Sequence, residues 1–95
     1  MADESRLDGE WAVSRTGGLL PPLVAVRKRI RAGRGHTAVG PLPGVPFDVV
    51  GLELRYRRPF GAFVDVLEPA GADAYSGRAT FRGRTFGTFS LIRAR

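Results

Sequence analysis

Leu23-Val24-Ala25-Val26-Arg27-Lys28-Arg29-Ile30-Arg31 decides how the chain is read, because apolar and charged residues alternate along it. Val24, Val26 and Ile30 fall on one side with Lys28 among them, while Arg27, Arg29 and Arg31 fall on the other. A period of two belongs to a strand with one buried face. A helix gathers the same apolar residues less well, and the segment has no cap. Pro22 before it and Ala32-Gly33-Arg34-Gly35 after it predict a strand that ends in a hairpin turn, with His36 to Val39 as the return strand.

The same alternation continues downstream. Gly40-Pro41-Leu42-Pro43-Gly44-Val45-Pro46 is a rigid turn region, and Phe47 to Val50 a short strand broken by Gly51. Leu52, Leu54 and Tyr56 then oppose Glu53, Arg55 and Arg57, and Arg58-Pro59 turns the chain. Phe60, Ala62, Val64 and Val66 share the face read as inward, against Gly61, Phe63, Asp65 and Leu67; residues 68–73 read as a loop. Tyr75, Gly77, Ala79 and Phe81 alternate with Ser76, Arg78, Thr80 and Arg82. A turn at Gly83-Arg84 sets Phe81 opposite Phe86, both inward. Phe89 and Leu91 are out of phase with Phe86, so a one-residue bulge is predicted near Gly87.

Upstream, Leu7 to Arg15 reads as the first strand, with Trp11 and Val13 on one face. Thr16 to Pro22, with two glycines and two prolines, reads as a loop whose Leu19 and Leu20 either join the core or fold over a barrel mouth. Residues 1–6 read as a flexible acidic leader and residues 7–95 as one β-barrel domain. About eight short strands and no helix predict an all-β fold, a small antiparallel up-and-down barrel with an interior that is either filled or holds one small ligand.

Composition narrows the classes of function. At 95 residues, one domain buries roughly two-thirds of the surface of its unfolded chain. The absence of cysteine excludes disulfides and thiolate metal sites, and no apolar run has the length of a signal peptide or membrane span, so the simplest location is the cytoplasm. Residues 1–10 hold four acids and one arginine, a net of −3, which leaves +9 on the rest of a chain whose total is +6. All basic residues except Lys28 are arginines, side chains suited to bidentate contacts with phosphate or carboxylate.

Gly9-Glu10-Trp11 in the first strand resembles the Gly-x-Trp opening of the calycin superfamily, the lipocalins and fatty-acid-binding proteins, of which this chain would be a miniature member. In lipocalins a late arginine packs across the indole. Arg93, after Phe89-Ser90-Leu91-Ile92, matches it here. The resemblance implies a lipocalin-like barrel whose interior takes a small ligand.

The leading expectation is a non-enzymatic, calycin-like barrel that binds a small hydrophobic or amphipathic ligand, anionic ones included, without a cofactor. Trp11, Val24, Val26, Leu54, Tyr56, Val64 and Phe81 would supply the apolar wall, with Lys28 or Arg93 as polar handle. The alternative is a filled barrel that acts through its surface, as a nucleic-acid-binding module or a homodimer. Arg27, Arg29, Arg31, Arg55, Arg57, Arg78 and Arg82 would form its electrostatic footprint, or else a solvated face balanced by Glu53, Asp65 and the acidic leader. Apolar residues on both faces near Phe63 and Leu67 would mark the dimer contact. An enzymatic reading needs His36, the sole histidine, to meet a carboxylate in a pocket; otherwise it is a turn residue. No metal ligand set is present in the sequence.

Overall fold

The computed structural model describes residues 4–20, 25–41 and 44–94. Its strands are β1 (Gly9–Gly18), β2 (Val26–Arg31), β3 (Arg34–Val39), β4 (Val45–Val50), β5 (Glu53–Tyr56), β6 (Phe63–Gly71), β7 (Ala74–Phe81) and β8 (Arg84–Ala94). Each pairs antiparallel with the next, and β8 returns to pair with β1, closing the barrel. The alternation that opened the sequence holds in β2, where Val26, Lys28 and Ile30 are buried and Arg27, Arg29 and Arg31 are exposed. Val24 lies outside the described residues.

Two hairpins turn on a positive-φ pair, Ala32-Gly33 and Arg82-Gly83. That mirror-image turn matches the right-handed twist of the strands it joins. The second turn sits one residue earlier than the sequence predicts, so Phe81 faces Arg84 rather than Phe86. The bulge expected near Gly87 is present: Thr80 pairs with Thr85 and Ala79 with Gly87, which leaves Phe86 as the extra residue. It brings Gly87, Phe89 and Leu91 to the buried face.

Three expectations are corrected. β1 does not stop at Arg15 but continues to Gly18, with Thr16 as an extra residue opposite β8. There Gly18 lies so close to Gly87 that any Cβ on it would collide with backbone, and two facing glycines let the strands meet. β6 likewise runs on through Glu68, Pro69 and Ala70 to Gly71 instead of breaking into a loop. Its phase is also the reverse of the prediction. Asp65 and Leu67 are buried with Phe63 on their side, while Val64 and Val66 face outward. Val64 is therefore no part of an inner wall, Asp65 is no surface counter-charge, and Leu67 belongs to the core rather than to an outer face. The cause is chemical: inward Lys28 requires a buried partner, and Asp65 supplies it at 3.1 Å.

The strand ends define two different barrel ends. One carries the start of β1, the end of β8 and the β2–β3, β4–β5 and β6–β7 turns. Here Glu4–Leu7, partly inside the predicted leader, forms a 3₁₀ turn whose Leu7 is fully buried beside Trp11. Trp11 fills this end, set edge-on to Tyr75 with ring centroids 5.4 Å apart, and its Nε1 donates to the Leu7 carbonyl at 2.9 Å. Arg93, the register partner of Trp11, covers the indole at 4.3 Å from the ring centroid. Its guanidinium also donates to the carbonyls of Asp8 and Arg6 and to Asp73. Gly9 has φ +136°, and a Cβ there would strike the Arg93 guanidinium. The glycine, the tryptophan and the arginine thus form one plug.

Candidate functional site

The opposite end is open. A cavity of about 240 Å³ enters the barrel there, walled by Leu20, Val45, Phe60, Phe63, Ala79 and Phe86 and floored by Thr37, Tyr56 and Asp65. Phe63 and Phe86 reach it because of two local features, the reversed phase of β6 and the bulge in β8. Leu20 reaches it from the segment after β1, held by Arg15, whose guanidinium donates to the Gly18 and Leu20 carbonyls. Of the two loop leucines, Leu20 turns to the mouth and Leu19 is exposed.

The floor is a polar cluster around Lys28. This sole lysine of the chain is 3% exposed and inside the barrel, and its Nζ lies 2.7 Å from Thr37 Oγ1, 2.7 Å from Tyr56 Oη and 3.1 Å from Asp65 Oδ2. Tyr56 Oη donates to Asp65 Oδ2 at 2.8 Å. Rings of Phe47, Tyr56 and Phe89 stand 5.3 to 5.6 Å from the ammonium, at cation–π range. Burial alone would favour the neutral amine. The pull of Tyr56 and Asp65 outweighs it, and the Lys28 ammonium is held above the usual lysine range. Burial also pushes the Tyr56 phenol up, against the pull of Lys28 and with help from Asp65. At neutral pH Tyr56 is thus a dipole rather than a charge, and the ion pair of Lys28 is with Asp65. Every enclosed side-chain nitrogen or oxygen of the described residues has a hydrogen-bond partner.

The predicted ligand residues therefore separate. Tyr56 lines the cavity and Lys28 lies directly beneath it. Val26 and Leu54 belong to the packed core, and Trp11 and Arg93 to the plug at the other end. Phe81 shares a face with Phe63, its ring 4.9 Å away, but stands 41% exposed on the rim. Leu20 takes the mouth position that the sequence offered as one of two alternatives, whereas Thr37, Val45, Phe60, Phe63, Asp65, Ala79 and Phe86 were not named as ligand residues. A usable signal existed for Asp65, the one acid between Phe60 and Leu67, given an inward lysine that needs a counter-charge.

No family profile, curated protein or solved structure matches this chain.

The surface arginines are dispersed and partly neutralised. Arg27 and Arg29 both bond Glu10, Arg55 bonds Glu53, and Arg57 bonds Asp48. Hydrogen bonding by Arg29 holds the Glu10 carboxyl below its usual value, and Arg57 does the same to Asp48. Arg31, Arg78 and Arg82 form no ion pair among the described residues. These arginines stand on or beside β2, β5 and β7, and of them only Arg29, Arg31 and Arg57 come together, in one outer groove. His36 pairs with Arg29 in register and so faces outward, across the wall from Asp65. The carboxylate that lines the outer groove with His36 is that of Glu10, and it is bonded by Arg27 and Arg29.

Proposed function

We propose that the protein binds a small, largely apolar ligand at the open end of the barrel, as a carrier or sensor rather than an enzyme. The observation that carries this reading is the cavity itself: a concave, mainly apolar mouth over a few convergent polar groups, in a barrel whose other end is plugged. Its volume suits a ligand of about one aromatic ring, since a cavity of roughly 150 Å³ accommodates benzene. The plug of Gly9, Trp11 and Arg93 supports the further proposal that the chain is a miniature calycin. In that case Trp11 takes the depth that a larger ligand needs, and binding is confined to the mouth.

Native mass spectrometry of the purified protein, together with ¹⁵N chemical-shift titration by toluene and indole, tests this. Shift changes concentrated at Thr37, Phe63, Ala79 and Phe86 support mouth binding. No retained molecule and no shift at millimolar probe overturn it.

A surface reading has one observation in its favour. Arg31 and Arg34 stand directly opposite each other, and with Arg29, His36 and Arg57 they line an outer groove of about 780 Å³ across β2 to β4. Polyanion binding there requires salt-dependent affinity for random oligonucleotides, and its absence at low salt removes the reading.

A further inference from the structure

The proton inventory of the cavity floor limits which ligand fits. Lys28 has three N–H donors: two go to Thr37 Oγ1 and Tyr56 Oη, and the third is taken up by the ion pair with Asp65, Nζ to Oδ2 at 3.1 Å. Tyr56 has one proton, and it goes to Asp65 Oδ2. The 2.9 Å contact between Thr37 Oγ1 and Tyr56 Oη then has Thr37 as its donor. Both phenol lone pairs are thereby filled, by Lys28 and Thr37. No donor on the floor remains free. What remains is acceptor capacity: one lone pair on Thr37, and the whole of Asp65 Oδ1, which has no hydrogen-bond partner among the described residues. Asp65 lines the cavity with its side chain 9% exposed. Since no enclosed side-chain oxygen lacks a partner, Oδ1 is the oxygen open to the cavity.

We infer that the mouth selects small apolar molecules that carry a neutral hydrogen-bond donor, a phenol, alcohol or indole N–H, aimed at Asp65 Oδ1. This rests on the mouth-binding reading above and sets aside the anionic ligand class expected from sequence. An anion finds no donor and meets a carboxylate oxygen. A cation finds the acceptor, but it leaves the Lys28–Asp65 pair with excess positive charge in a poorly solvated place. A neutral donor adds one bond to a charged acceptor and disturbs no existing one.

The test uses ligands of matched body: 4-methylphenol, 4-methylanisole, toluene, benzoate and benzylamine, titrated calorimetrically and by ¹⁵N shifts. The expected result is 4-methylphenol binding about ten- to a hundredfold tighter than 4-methylanisole or toluene, with both ions weaker than the phenol. Equal affinity for the phenol and the anisole overturns the donor inference but leaves mouth binding intact. Benzoate or benzylamine as the tightest ligand overturns it as well. No binding by any member removes the mouth-binding reading beneath it. Asp65→Asn adds a check, with loss of the phenol-over-anisole preference expected and its retention counting against Asp65. If that variant does not fold, the ligand comparison in the native protein still decides.

Discussion

At the scale of single residues, Lys28 and Asp65 carry most of the chemistry of this barrel. A buried ion pair contributes little net stability when intact, but removing one partner leaves a charge with no answer. Lys28→Met, measured by urea unfolding at pH 7, is expected to lose about 3–5 kcal/mol, whereas Lys28→Met with Asp65→Leu recovers most of it. The same cluster sets the alkaline limit. Folding raises the pKa of Lys28 above its ordinary 10.5 and that of Tyr56 above 10.0. Above those values the unfolded chain gives up protons that the folded chain keeps, so the folded state binds more protons and stability declines as pH rises. The contribution of both groups is fully present below about pH 10 and is lost as pH climbs through the folded values. Unfolding midpoints measured from pH 8 to 12 should hold level and then fall. A midpoint that rises across that window contradicts the assignment.

At the scale of strands, what was legible in the sequence was the period, and what was not was the phase. Each predicted strand has its counterpart, and β2, which begins at Val26 rather than Leu23, has the predicted phase because three arginines on one side of Val26 and Ile30 admit one orientation. β6 offered no such asymmetry: Val64 and Val66 on one face and Phe63 and Leu67 on the other are equally apolar. Its phase was fixed instead by a contact with Lys28, 37 positions away in sequence, which local pattern does not encode. The strand extensions through Gly17-Gly18 and Glu68-Pro69 were missed for a related reason. Turn-forming residues lose their local preference when a neighbouring strand supplies hydrogen bonds and, at Gly18, when the close approach needs the absence of a side chain. Gly77 is the sharper case of that need. It sits in β7 beneath the Phe89 ring, where a Cβ would collide with the ring carbons. Phe89 is 3% exposed and packed in the core, so it has little room to give. Gly77→Ala should therefore destabilise by about 1–3 kcal/mol in urea, the range for overpacking, despite the better strand preference of alanine. No loss of stability would mean that Phe89 can move aside.

At the scale of the whole molecule, the two ends of the barrel have separate tasks. The plugged end is closed and cross-linked by directional contacts: Leu7 and Trp11 are fully buried, and Arg93 ties Trp11 to Asp8, Arg6 and Asp73. The mouth is walled by side chains that are only partly buried, such as Val45, Phe63 and Phe86, so it contributes less packing per residue and keeps its space. A substitution should then act differently at each end. Trp11→Phe deletes the indole N–H bond to Leu7 and part of the surface under Arg93. It should cost on the order of 2 kcal/mol in unfolding free energy while 4-methylphenol affinity stays within about twofold. Val45→Trp, at the first position of β4, projects a large ring into the mouth and should abolish probe binding with stability changed by less than about 1 kcal/mol. The two variants thus act in opposite ways, one on stability and the other on binding. If Trp11→Phe weakens the ligand as strongly as Val45→Trp does, the interior is one continuous site and the division into plug and mouth is wrong. If neither variant alters binding, the ligand sits outside the barrel, and the outer groove of Arg31 and Arg34 becomes the place to look.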